Sequence, residues 1–226
     1  WGSIYNTLTD LYDMRKAALE QNLVAYAGVA DILTAFNLSL ASDAWGDLPY
    51  SEAFVGGANM APKYDSQQGI YDTCLALIGR GIALLSQPAA VDGMDGNADY
   101  IHGGDVSAWV KTAYALKARL LNQVSKLPSY NASEVLAAVN NAYSSNSDDA
   151  QLDAFEVRNP WAQLARNNAN LVLDVWLSKY FVDATNGTIY GVFDPRLPEI
   201  TFPTDGGTYV GTPNGAGFQG VRNTDH

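Results

Sequence analysis

The chain has 226 residues, 47% hydrophobic and 16% charged, and 24 acidic against 13 basic side chains give it a formal net charge of −11. That is enough for one well-buried core or two small ones, and it is not the composition of a disordered chain. The charge excludes a nucleic-acid backbone as partner, because phosphate recognition needs clustered Lys and Arg.

From residue 4 to about 44 apolar side chains fall at helical spacing. Ile4, Leu8, Leu11 and Tyr12 mark a first segment, and Val29, Ile32, Leu33, Phe36 and Leu40 a stronger one, with a break expected near Gln21 and Asn22. The apolar run over 23–44 is interrupted by Asp31 and Asn37, so it reads as a buried helix and not a membrane span. A corner follows at Trp45-Gly46-Asp47-Leu48-Pro49-Tyr50. Gly46 supplies backbone freedom, Pro49 pushes Leu48 toward extended geometry, and Trp45 and Tyr50 are expected to pin the break against a core. Asp65 or Ser66 caps the next helix, whose face carries Ile70, Cys74, Leu77, Ile78, Ile82 and Leu85. Cys74, the single cysteine, is a small buried hydrophobe in this setting, with no disulfide frame or thiolate metal cluster available.

Residues 89–104 form a turn-rich loop. Asp105 caps a third helix with the stripe Val106, Trp109, Val110, Ala113, Leu116, Leu120 and Val124, closed at Leu127-Pro128. Asn131 or Ser133 caps a short helix through Tyr143, with Val135, Val139 and Ala142 inward. Asn159-Pro160 opens a fifth, running through Leu164, Leu171, Val175 and Trp176 to about Val182. Beyond Asp183, Asn186-Gly187, Asp194-Pro195, Pro198, Pro203, Gly206-Gly207 and Pro213 exclude long helices. Residues 188–190 and 208–210 are expected as short strands. The pattern predicts an all-α protein: tetratricopeptide-like helix pairs over 1–183 and a loop-rich region over 184–226, in one domain covering 1–226. The chain opens at Trp1 without a basic leader and closes at His226 in a polar tract, so both ends are expected to be cut from something longer.

Catalytic motifs are missing from the sequence. His102 lies in a loop without an identifiable partner and reads as a surface or structural residue; His226 is terminal. Asp92, Asp95, Asn97 and Asp99 alternate like calcium ligands, but the sixth position from Asp95 is Tyr100 where such a loop needs Gly, and no Glu closes it. A solvated acidic turn is the better reading, and no metal or other cofactor is expected. Asp43 and Asp47 stand four apart, a spacing that permits a glycosidase carboxylate pair, but Gly46 and Pro49 already give that stretch a structural purpose. Trp109, Trp176 and Tyr114 sit on helical stripes and are expected in the core. Trp1, Tyr190 and Tyr209 lie outside the clear stripes, in end or loop positions where binding residues concentrate, and are the candidate carbohydrate-stacking rings. The alternative for each is a packing role.

Ordered motifs narrow this further. Trp45 through Ala53 (WGDLPYSEA) is followed by Pro62-Lys63-Tyr64-Asp65-Ser66-Gln67, Ile70-Tyr71, Gly104-Asp105 with Trp109 and Lys111, and Ala115 to Leu120. Asn159-Pro160-Trp161, Asp194-Pro195-Arg196-Leu197 and Tyr209 to Gly215 complete the order. In this the chain resembles the SusD/RagB family of outer-membrane nutrient-binding lipoproteins. The resemblance implies a helical scaffold that binds an oligosaccharide or peptide and is not an enzyme. It also implies an N-terminal lipid at the outer surface of the cell, absent from this chain, and a SusC-like TonB-dependent transporter as partner. A helical-repeat protein adaptor and a helical glycosidase using Asp43 and Asp47 are the rival readings.

Overall fold

The computed structural model describes residues 1–91, 93–155, 157–169 and 176–216. They form two compact units, Trp1–Leu152 and Asp153–His226. The first carries α1 (Gly2–Glu20), α2 (Val24–Trp45), α3 (Gln67–Leu85), α4 (Val106–Gln123) and α5 (Ala132–Val139). The second carries α6 (Pro160–Ala169), α7 (Lys179–Thr185) and the single turn α8 (Leu197–Ile200). The protein is all-α, as its periodicity predicts. Among the described residues strand pairing is limited to isolated bridges, Leu48 with Asp65, Ser178 with Thr212 and Asn186 with Phe193.

In the first unit each helix packs on the next, α1 on α2, α2 on α3, α3 on α4 and α4 on α5. The break between α1 and α2 falls where expected, with Asn22 in the left-handed region at φ 57°. Asn is among the few residues that visit that region readily. α2 is apolar all round because it lies between α1 and α3 and also touches α4. By length and hydropathy it could span a membrane, yet 67% of its most apolar window is buried inside the protein. Two glycines let α2 and α3 approach closely. A Cβ on Gly28 would lie 2.8 Å from Leu85 Cγ, and one on Gly81 would lie 2.9 Å from the Gly28 carbonyl oxygen. Across this contact Asp31, fully buried in α2, accepts from Arg15 Nε of α1 at 2.8 Å and from Arg80 Nε and Nη2 of α3 at 2.6 and 2.7 Å. One carboxylate therefore ties three helices together.

Several expectations need correction. Phe36 is exposed rather than inward, because Ile32, Ala35 and Leu38 carry the α2 contacts and Phe36 falls off their face. The corner is pinned by Leu48, not Trp45: Leu48 is fully buried and pairs with Asp65 in both directions, at 3.1 and 3.0 Å, while Trp45 is exposed. Tyr50 does pack on the core. α5 stops at Val139 instead of reaching Tyr143. It packs on α4 with the small Ala138 buried, and the bulkier Val139 turns outward.

The expected fifth helix is divided. α7 has its own start at Ser178, whose Oγ accepts from the Phe181 N–H at 3.1 Å, and Trp176 and Leu177 before it are not helical. Leu171 and Val175, placed on that helix from sequence, lie outside the described residues. Residues 188–190 form a turn, not a strand, because Gly187 and Gly191 on either side take φ of 91° and 68° and curl the backbone. Residues 208–210 are irregular.

Candidate functional site

The corner after α2 gathers the residues around it through carboxylates. Gly46 turns the chain at φ 77° and its N–H donates to the Ser42 carbonyl at 2.8 Å. Asp65 then accepts from the N–H groups of Tyr50 and Ser51 at 3.1 and 2.6 Å and from Ser51 Oγ at 2.7 Å. Burial raises the pKa of Asp65, but the donors of Ser51 and Tyr50 outweigh it and hold the group below its usual range. Ser66, one of the two cap candidates, is the residue that accepts from the Gly69 N–H and starts α3. Asp47 accepts from the Gln67 N–H at 2.8 Å, and Asp43 accepts from Tyr71 Oη and, at 2.7 Å, from Gln123 Nε2. The two aspartates weighed as a catalytic pair are thus each tied to the scaffold by separate partners.

The same logic governs the acidic loop. Asp99 is buried and accepts from Trp109 Nε1 at 2.7 Å and from the N–H groups of Ile101, His102 and Gly104. Burial opposes its charge, and these donors, led by the Trp109 indole, win and hold its pKa low. His102 sits edge-on to Trp109 with ring centroids 5.0 Å apart, its Nε2 2.7 Å from Thr112 Oγ1, and burial lowers its pKa. It is a packing residue. No cluster of metal-ligating side chains occurs among the described residues, and Asp92 lies outside them.

What the loops do expose is rings. In the first unit Trp1 stacks on Tyr5 at 4.9 Å, meets Trp45 edge-on at 5.1 Å and faces Tyr64 at 6.4 Å. The row continues through Phe54, stacked on Tyr5 at 6.4 Å and on Tyr12 at 5.6 Å. Phe54 itself is held at φ 66°. A bulky residue in the left-handed region costs about 1 kcal/mol or more and persists only where its surroundings demand it. Here Tyr5, Tyr12 and Tyr50 surround the ring. Trp1, Tyr5, Tyr12 and Phe54 wall a cavity of about 520 Å³.

In the second unit Tyr190 stands on the turn after α7, with its Oη 3.2 Å from Tyr180 Oη. It lines a cavity of about 480 Å³ with Val192, Phe193, Asp194 and Arg196. Arg196 Nη2 and Nε donate to the two Asp194 oxygens at 2.6 and 3.0 Å. The guanidinium holds the Asp194 pKa down at about 2. Phe193 lies 6.0 Å from the half-buried Tyr209 ring. Of the rings singled out from sequence, Tyr190 and Tyr209 thus share a neighbour in Phe193, and Trp1 belongs to the ring row of the other unit. Tyr12 and Phe54 were missed. The spacing of Tyr5 and Tyr12, two turns apart on α1, was the available signal for the row.

A family model described as SusD-like, starch-binding associating with outer membrane, matches residues 1–225. Solved structures agree. A SusD/RagB family protein from Bacteroides thetaiotaomicron is 28% identical, with a TM-score of 0.67 over 75% of this chain and 36% of that one. A SusD homolog from Bacteroides fragilis is also 28% identical, with a TM-score of 0.55 over 66% of this chain and 32% of the other. A chitin-binding SusD homolog from Flavobacterium johnsoniae shares the fold at 22% identity and a TM-score of 0.68, over 85% of this chain and 39% of that one. The chain therefore spans only 32–39% of the length of these solved relatives. No curated protein matches it.

Proposed function

The chain belongs to the SusD-like family, and from that premise we propose that it is part of a cell-surface protein that binds glycan and passes it, uncleaved, to a TonB-dependent outer-membrane transporter. The observation that carries this reading is the match over residues 1–225 to a family described as starch-binding and associating with the outer membrane. The chitin-binding neighbour supports the same ligand class. Sugars present apolar C–H faces beside hydroxyls, so exposed rings flanked by polar groups suit them. Tyr190 and Tyr209, joined through Phe193, and Trp1 are the proposed stacking residues. The ligand is an oligosaccharide, with peptide as the alternative cargo; the partner is a SusC-like channel, and a lipid on the full-length protein would hold it at the outer membrane.

Calorimetric titration of malto- and chito-oligosaccharides tests the reading directly. The expected result is saturable heat with one of them and no release of reducing sugar. Tyr190→Ala should weaken that binding by about tenfold, the worth of one well-placed ring. Silence with both sugars, or cleavage of either, would overturn it. Retention of a SusC-like channel from detergent-solubilised outer membranes by the full-length protein tests the delivery step.

A further inference from the structure

The ring-walled cavity of the first unit differs in charge from that of the second. Besides Trp1, Tyr5, Tyr12 and Phe54, its polar side chains are Thr9, Asn59 and the exposed Asp13, apolar and small residues such as Pro49, Val55 and Pro62 complete it, and among the described residues no Lys, Arg or His lines it. Among the described residues no hydrogen-bond donor or cation meets the Asp13 carboxylate. The polar neighbours are otherwise engaged. Thr9 Oγ1 donates to the Tyr5 carbonyl at 2.9 Å, Asn59 Nδ2 donates to Glu52 at 3.3 Å, and Asn59 Oδ1 accepts from the Ala61 N–H at 3.1 Å. What sets the cavity apart for a ligand is therefore its aromatic rings and the Asp13 carboxylate, which has no side-chain cation beside it among the described residues. Ring faces are themselves negative, so they attract a cation held over them, most strongly when it is partly desolvated. The chain's net charge of −11 adds a long-range pull of the same sign.

We propose that this cavity is a binding site for an amino sugar carrying a free ammonium group. The pyranose ring that carries the ammonium would stack on the exposed Tyr12, next to Asp13, and further units of the oligomer would run along the ring row toward Trp1. The volume, about 520 Å³, is that of a small-ligand site. A lysine side chain could also bring an ammonium to Asp13, but it lacks the broad C–H faces that match so many rings, and this favours the sugar. The proposal rests on the glycan-binding reading and adds a charge preference to it.

The test compares glucosamine oligomers with N-acetylglucosamine oligomers of equal length by calorimetry on the intact chain, with Asp13→Asn as the key variant. Asp13 is exposed and, among the described residues, has no structural partner, so the variant should melt like the parent. The expected result is at least tenfold tighter binding of the glucosamine oligomer to the parent chain, lost in Asp13→Asn and reduced by salt. Tyr12→Leu should weaken binding of the same oligomer by several-fold while leaving the charge preference in place. Equal affinity for both oligomers, or a preference that survives Asp13→Asn, would overturn the ammonium site while leaving glycan binding intact. Trilysine competing as strongly as the glucosamine oligomer would overturn the sugar assignment in favour of a peptide. Absence of binding to any sugar would overturn both readings together.

Discussion

The two units are held together by different physics. In Trp1–Leu152 one apolar cluster runs from Leu8 through Ile32, Leu38 and Ile78 to Trp109 and Leu120, and even the corner residue Leu48 belongs to it. In Asp153–His226 the buried residues, among those described, are Val182, Leu197, Thr201 and Gly211. Its shape comes from backbone pairing instead. The Lys179 N–H donates to the Thr212 carbonyl at 2.7 Å, Thr212 N–H to Leu177 at 2.9 Å, and Asp194 N–H to Thr185 at 2.7 Å. Burial of apolar area stabilises in proportion to the area removed from water, whereas each backbone hydrogen bond contributes only about 1 kcal/mol net. A frame built the first way tolerates change on its surface. A loop region built the second way is sensitive wherever one backbone touches another.

The sharpest way to break the first unit is through Asp31, a fully buried charge. Asp31→Ala would leave Arg15 and Arg80 facing each other across the α1, α2 and α3 junction without their shared acceptor. Removing one partner of a buried ion pair costs about 3–5 kcal/mol. Both arginines keep some contact with water, so the lower end, about 3 kcal/mol, is the expected loss in urea unfolding followed by helical circular dichroism. A loss well under about 1 kcal/mol would mean that the apolar cluster holds these helices without the charge.

Next in size are the glycines, where the two units can be compared on equal terms. Gly81→Ala would push a methyl group to 2.9 Å from Gly28 O and 2.9 Å from Ile32 Cγ1. Forcing apart two packed helices in this way costs about 1–3 kcal/mol. In the second unit a Cβ on Gly211 would lie 2.5 Å from the Ser178 carbonyl oxygen and 2.7 Å from Lys179 Cα, backbone atoms with no rotamer to escape into. Gly211→Ala should therefore open the Ser178–Thr212 bridge. Faster amide exchange at Lys179 and Thr212 is the expected signature, and unchanged exchange there would show that the loop accommodates the methyl group.

Smaller still is the effect of Asp99, the buried carboxylate of the turn before α4. Its folded pKa lies below the ordinary value, so the stability it contributes is present above the unfolded pKa of about 3.9 and is lost as pH falls through the folded one. The indole Nε1 resonance of Trp109 should keep its position down to about pH 4 and shift below it. Asp99→Asn, which replaces one acceptor oxygen with a donor facing N–H groups, should cost about 1–2 kcal/mol at neutral pH.

These contrasts also explain what could be read in advance. α3 and α4 were legible because each couples a capping Ser66 or Asp105 to an uninterrupted apolar stripe. α2 was legible as a helix but not in its orientation: a helix packed on several sides has no single apolar face, and Phe36 was misassigned for that reason. Asp31, Asp65 and Asp99 look like ordinary surface acids in sequence, because their donors come from residues brought close only by folding. Gly and Pro announced the turns of the second unit, yet β-favouring Thr188-Ile189-Tyr190 did not pair, since positive φ at both flanking glycines decides the path. Of the site, the exposure of Trp1 and Tyr190 followed from their positions. The ring row from Tyr64 to Tyr12 did not, because it joins α1 to residues more than forty positions away.

The smallest expected effect is the most discriminating for the second unit. Arg196 forms a forked pair with Asp194 that looks like a structural clamp. The guanidinium faces water, however, and an ion pair exposed on that side is screened and adds little to stability. Asp194 keeps two further roles without the guanidinium. Its N–H donates to Thr185, and its Oδ1 accepts the backbone N–H of residue 196, which any substitute but proline would still supply. Arg196→Ala should therefore leave thermal unfolding unchanged while returning the Asp194 pKa from about 2 toward the usual carboxylate range. Carboxylate titration by NMR reads the second effect and calorimetry the first. A drop in melting temperature in step with the pKa change would show that charge, rather than backbone pairing, holds the loops around Tyr190 in place.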